Sequence, residues 1–175
     1  MKVRIRPHFV IRWVKAGRID PEFSVLRNPV LLRACGVYLI FSGKRKIQYI
    51  GITCNQSLAQ RVGQHLRGLQ RVGASFPQDG YLFVGLVIPR AYKALSARML
   101  EEIESFLIWA IKPEGNIAKR RPYKGREMLI ENDGDEFGLP RFLYEGQLGP
   151  LVRVGQGPSP DQMTFRTIGP SGWQR

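Results

Sequence analysis

The chain has 175 residues, 43% of them hydrophobic and 10% aromatic, which suits one cored domain with appendages and argues against wholesale disorder. Lys and Arg number 27 against 14 Asp and Glu, a formal net charge of +13 that points to a polyanionic partner, nucleic acid before an anionic membrane surface. No apolar run approaches the ~18 residues of a bilayer span, and the opening MKVRIRPHFVIRWVK lacks a signal-peptide core; with two cysteines and two histidines a disulfide scaffold and a structural zinc site are excluded, and the expected setting is intracellular.

The charge is uneven: +6 in residues 1–35, +8 in 36–121, −3 in 122–148 and +2 in 149–175. The first segment mixes bases and apolar residues between Pro7, Pro21 and Pro29, with helical pieces expected around His8–Ala16 and Pro29–Ala34. From Gly36 the pattern changes. GVYLIFS and IQYIGIT are rich in β-branched and aromatic residues and flank the polar turn SGKRK, which reads as a hairpin displaying Lys44, Arg45 and Lys46. Asn55–Ser57 can cap a helix from about Leu58 to Arg71, with Leu58, Val62, His65, Leu66 and Leu69 at helical spacing. After a loop over 72–80, YLFVGLVI reads as a third strand, and Ala91 to Ile111 as a long helix ended by Pro113 and Gly115.

That order, strand–strand–helix–strand–helix, predicts an α+β fold: a small core of three antiparallel strands flanked by helices. The chain then divides into a basic N-terminal extension (1–35), the core (36–121) and a C-terminal extension (122–175) that is acidic and then Gly/Pro-rich. Lys119, Arg120 and Arg121 form a basic link, and the acidic stretch ENDGDE follows at 131–136. The last thirty residues hold ten Gly or Pro, so loops are expected there, with short strands at 151–154 and 163–168.

On the long helix, Leu100, Glu104, Leu107, Ile108 and Ile111 share one face. Glu104 is a carboxylate on an apolar stripe, where an uncompensated charge is costly, so it needs a base, a metal ion, a proton, or a place at the rim of the stripe within reach of water. Arg61 and His65 are one helical turn apart and can face one site, a rigid fork for phosphate beside a group that titrates near neutrality. Tyr38 and Tyr49 lie on the two strands of the hairpin, and Asn116 follows Gly115 where the chain leaves the long helix. Taken singly, each is as well explained by packing, capping or surface decoration.

Their arrangement is more informative. GVY at 36–38 and YIG at 49–51 resemble the signature pair of the GIY-YIG nuclease family, and L-x-x-R-x-x-x-H at 58–65 and E-x-x-L-I-x-x-x-K-P-x-x-N at 104–116 extend the resemblance over about 36–118. Ile52 stands where many members carry a lysine. The resemblance implies a divalent-metal-dependent endonuclease of duplex DNA, using Mg²⁺ or Mn²⁺ held by Glu104. Arg61 clamps a phosphate oxygen. Tyr38 or Tyr49 takes a proton from the attacking water once its pKa is lowered, His65 assists that phenol, and Asn116 orients the surroundings.

Lys44, Arg45, Lys46, Lys119, Arg120 and Arg121 are expected to grip the DNA backbone, with Lys2, Arg4, Arg6, Arg12 and Lys15 as further phosphate contacts. A single such centre cuts one strand, so a double-strand break needs two subunits, as in a homodimer, or two encounters. A restriction-type enzyme is the expected kind. A nucleic-acid-binding protein with a degenerate nuclease core is the alternative.

Overall fold

A computed structural model describes residues 8–33, 36–42, 46–71, 80–90, 94–116, 123–125, 128–133, 139, 142–145, 151–153 and 166–167. Eight strands form one sheet in the order β3-β2-β4-β1-β5-β6-β7-β8. They are β1 (His8–Arg18), β2 (Gly36–Phe41), β3 (Ile47–Thr53), β4 (Tyr81–Pro89), β5 (Met128–Asp133), β6 (Phe142–Glu145), β7 (Leu151–Arg153) and β8 (Arg166–Thr167). The helices are α1 (Pro29–Arg33), α2 (Leu58–Arg71) and α3 (Ala97–Ile111), with a 3-10 turn at Ser24–Arg27. The fold is α+β.

The three expected strands are antiparallel neighbours, β3-β2-β4, but the sheet does not stop with them. β4 pairs on its other side with β1, antiparallel, and β1 pairs with β5 in parallel, so the sheet is mixed and its body has five strands. The helix expected around His8–Ala16 is therefore a strand. Phe9, Ile11 and Trp13 enter one core and Ala16, at the register shift between Lys15 and Gly17, the other, while Arg12, Val14 and Lys15 stay exposed. β5, which includes the start of the acidic stretch at 131–136, and β6 are strands for which the sequence pattern predicts no element. β7 and β8 fall within the two short strands expected near the C-terminus. α3 begins at Ala97, not Ala91, because the Ser96 side chain caps it by accepting from the Met99 N–H at 3.2 Å.

Two cores sandwich the sheet. On one face α3 packs Leu100, Ile103, Phe106, Leu107 and Ile108 against Val37, Leu39, Phe83, Phe9 and Ile11. On the other, α2 lays Leu58, Val62 and Leu66 on Tyr38, Ile40, Leu82 and Val84, and Val25 and Leu31 complete the cover. Truncating any fully buried Leu or Ile of either core costs about 2–5 kcal/mol. Among the described residues no helix is long and apolar enough to cross a membrane.

Candidate active site

Successive residues of β2 point to opposite faces, so Tyr38 faces α2 while Val37 and Leu39 face α3. Tyr38 is 1% exposed and sits opposite Gly51 of β3, the edge strand of the sheet. A Cβ at Gly51 would fall 2.4 Å from both Cζ and Oη of Tyr38. Only glycine lets the phenol lie across the backbone of β3 and bring its oxygen to the sheet edge. Tyr49, two residues earlier on the same face, has its ring centroid 6.0 Å from that of Tyr38 at an interplanar angle of 28°.

α2 starts as a capping box. Ser57 Oγ accepts from the Gln60 N–H and Gln60 Oε1 accepts from the Ser57 N–H, each at 3.2 Å. This fixed start sets the rotation of the helix, turning Val62 and Leu66 into the core and the exposed Arg61 and half-buried His65 toward the tyrosines. The imidazole stacks on the Tyr49 ring with centroids 3.9 Å apart. His65 Nε2 is buried and has no hydrogen-bond partner among the described residues.

Glu104 comes from the opposite face. It is 6% exposed on the buried stripe of α3, and α3 packs chiefly on the edge strand β3. The carboxylate acts on the Tyr38 phenol, as do Tyr49 and Arg61, so four side chains from β2, β3, α2 and α3 meet electrostatically.

The consequences for ionisation are opposite for the two titrating groups. Burial raises the Tyr38 pKa well above the ordinary tyrosine value; the Tyr49 phenol raises it further, Arg61 pulls it down, and Glu104 and a hydrogen bond with Tyr49 add to the rise. The lowered value expected of a phenol acting as base is thus not what Tyr38 has, because desolvation outweighs the one cation. His65 is shifted down, by burial first and then by Arg61, so its imidazole is neutral at pH 7.

Behind the pocket, the chain leaving α3 is fastened to β3. Lys112 turns in the left-handed region at φ 54°, and Gly115 N–H donates to the Gln48 carbonyl at 2.7 Å. Asn116, 6% exposed, accepts from the Ile50 N–H and donates to the Ile50 carbonyl, both at 2.8 Å. Its amide imitates a neighbouring strand and satisfies the outer edge of β3 between Tyr49 and Gly51. Gly115 allows the close approach: a Cβ there would lie 2.7 Å from the Gln48 oxygen and 3.3 Å from Tyr49 Cδ2. Lys46 and Glu114 form an ion pair across the same junction.

Of the expected backbone-gripping bases, Lys44, Arg45, Lys119, Arg120 and Arg121 lie outside the described residues, as do Lys2, Arg4 and Arg6. Arg12 Nε is 3.3 Å from Asp133 Oδ2, and Lys15 Nζ lies 3.9 Å from the Tyr81 ring centroid. No cluster of three or more His, Cys, Asp and Glu occurs among the described residues. Sequence reasoning missed Gly51 and Gly115 as shapers of the pocket; the signal for each was a glycine adjoining a polar or aromatic site candidate.

Residues 34–106 match the family model of the GIY-YIG catalytic domain. That stretch is a GIY-YIG domain. It contains Tyr38, Tyr49, Arg61, His65 and Glu104, while Asn116 and strand β1 lie beyond the matched residues. No curated protein and no solved structure matches the chain. A domain of this family suggests a nuclease.

Proposed function

We propose that this protein is a divalent-metal-dependent endonuclease that hydrolyses phosphodiester bonds of duplex DNA, of the site-specific restriction type. The observation that supports the reading is that Tyr38, stacked with Tyr49, lies within the electrostatic reach of Arg61 and Glu104, with a neutral imidazole stacked on Tyr49. Packing alone does not account for a carboxylate and two phenols gathered where both cores end.

The donor set suits a hard cation. One carboxylate with no cluster of His or Cys beside it fits Mg²⁺ or Mn²⁺, which keep several waters, and not zinc. Glu104 would hold the ion, together with water and the oxygens of the scissile phosphate. When bound, such a cation neutralises charge on the phosphoryl and leaving oxygens.

The chain's own groups supply the rest. Arg61 clamps a non-bridging phosphate oxygen with its planar fork. Tyr38 keeps its proton and donates a hydrogen bond, because burial and its neighbours hold the phenol neutral. The proton of the attacking water passes to Tyr49, which gives its own to His65, since the imidazole is neutral at pH 7 and, in the tautomer protonated at Nδ1, its Nε2 lone pair is uncommitted among the described residues. Asn116 holds the backbone between Tyr49 and Gly51 and is a positioning residue. The basic residues at 44–46 and 119–121 add backbone contacts, and two copies of the chain cut both strands.

Incubating the full chain with long duplex DNA and Mg²⁺, then sequencing the fragment ends, tests this. Discrete ends that vanish with EDTA are expected. Salt-sensitive binding with intact DNA under Mg²⁺ and Mn²⁺ would leave a binding protein and overturn the enzyme.

A further inference from the structure

The site uses one flank of α2, yet the whole solvent arc of this helix is unusual. From Leu58 to Arg71 there is no carboxylate, while three arginines (61, 67 and 71) and three glutamines (60, 64 and 70) alternate with the core positions. Gln60, Arg61, Gln64, Arg67 and Gly68 are exposed, opposite the buried Leu58, Val62 and Leu66. At about 100° per residue, Arg61 and Arg67 stand about 120° apart around the axis with Gln64 midway between them. A solvated surface helix ordinarily mixes both signs of charge. This one sets a guanidinium at each shoulder and an amide at the crest.

Three details shape that arc for a ligand. The Arg67 side chain folds back over Gly63, whose Cβ would lie 3.1 Å from Nη2, so the guanidinium is drawn toward the level of the site. A Cβ at Gly68 would meet nothing within 4 Å, so the crest beside Arg61 is smooth and open. Gln64 exchanges amide contacts with Gln56 at 3.4 and 3.5 Å. Bonds that long are weak, so the pair orients the Gln64 amide but can release it to a base edge at little cost.

We propose that the solvent arc of α2 enters the major groove of duplex DNA, with Arg61 and Arg67 on phosphates of opposite walls and Gln64 reading a base edge between them. The inference rests on the nuclease reading of Arg61 and adds the groove, the second phosphate and the specificity residue. A helix about 10–12 Å across fits a groove about 12 Å wide, and a glutamine amide pairs in bidentate fashion with N6 and N7 of adenine. The deep, narrow major groove of an RNA duplex admits no helix, so the surface selects DNA.

The test uses the full chain with Ca²⁺ in place of Mg²⁺ and fluorescence anisotropy on a labelled DNA duplex over a salt series. Arg67→Ala should weaken binding to every sequence and reduce the slope of log K against log salt by about 0.9, the share of one phosphate contact. The control is Arg98→Ala, on α3 beside Glu102, which should change neither. In cleavage of a randomised duplex library, Gln64→Ala should relax the preference at one base position by about 10-fold. An Arg67→Ala slope equal to that of Arg98→Ala, unaltered preferences in Gln64→Ala, or duplex RNA bound as well as DNA would overturn the proposal. The two readings fail separately. A wild-type chain that binds with these slopes but never cuts loses the nuclease and keeps the groove surface, whereas one that cuts with unchanged slopes keeps the nuclease alone.

Discussion

The two ends of the five-stranded body use polar residues in opposite ways, and the chain's two histidines show the contrast. At the β1–β5 seam His8 Nε2 lies 3.5 Å from Glu131, Arg12 faces Asp133, and the buried Trp13 indole N–H donates to Asn132 Oδ1 at 3.0 Å. Arg12 and Trp13 each hydrogen-bond a complement one strand away, whereas His8 Nε2, though near Glu131, makes no hydrogen bond among the described residues. At the β3 edge His65 meets a guanidinium and a phenol ring, and its shift is downward; Tyr38 is pushed upward by the groups around it. The seam pairs Arg12 with Asp133 within the protein, while at the edge burial shifts Tyr38 up and His65 down, toward their neutral forms. A phosphate with its cation would complete the edge; the seam requires nothing further.

The contrast can be broken from the edge first. Glu104→Ala should lower cleavage by about 10²–10³-fold or more with duplex binding retained, the scale for losing one preorganised electrostatic contact, and Asp133→Asn at the seam should leave the rate unchanged. Nicking of supercoiled plasmid under Mg²⁺ reads both.

Asn116→Ala comes next. It strips the buried Ile50 N–H and carbonyl of their partner, at about 1–3 kcal/mol for each group left unsatisfied. The melting temperature should fall by several degrees, and cleavage should drop in kcat more than in KM because Tyr49 and Gly51 flank the loosened residue.

The pH dependence separates the two titrating groups. A histidine whose folded pKa is depressed binds fewer protons folded than unfolded below its ordinary value of about 6.5, so stability should decline as pH falls through that value. Tyr38 is the reverse: its raised pKa keeps stability full below about 10 and loses it as pH climbs past the unfolded value. His65→Gln should flatten the acid limb of a melting-temperature profile and Tyr38→Phe the alkaline limb. The smallest effect is expected at the seam, where Arg12 and Asp133 are both largely exposed and their pair is worth about 0–1 kcal/mol in thermal unfolding.

α2 was legible because it buries one face and keeps a clean period through Leu58, Val62 and Leu66, whereas the hairpin and β4 were legible from their β-branched and aromatic composition, although β2 is buried on both faces. β1 was not legible, since Arg12 and Lys15 interrupt its apolar residues and the irregularity between Lys15 and Gly17 shifts its register, so the buried positions follow no single period. β5 showed only as the start of an acidic stretch, because Glu131 and Asp133 alternate outward to meet His8 and Arg12, and such pairing is invisible before the sheet is assembled. Within the site, residue types alone leave Tyr38, Tyr49, Arg61, His65, Glu104 and Asn116 explicable by packing or capping, and their resemblance in order and spacing to the family's motifs singles them out. The direction of the Tyr38 shift could not be foreseen, because it depends on burial in three dimensions more than on which charges stand nearby.

The central claim is that groups brought by two helices from opposite faces of the sheet act as one unit. Single-turnover cleavage by Glu104→Asp, Arg61→Lys and the double variant measures it most directly. Groups that share one phosphate should couple, leaving the double variant far less impaired than the product of the two single losses. Losses that simply multiply, as they do for sites more than about 7–10 Å apart, would contradict it.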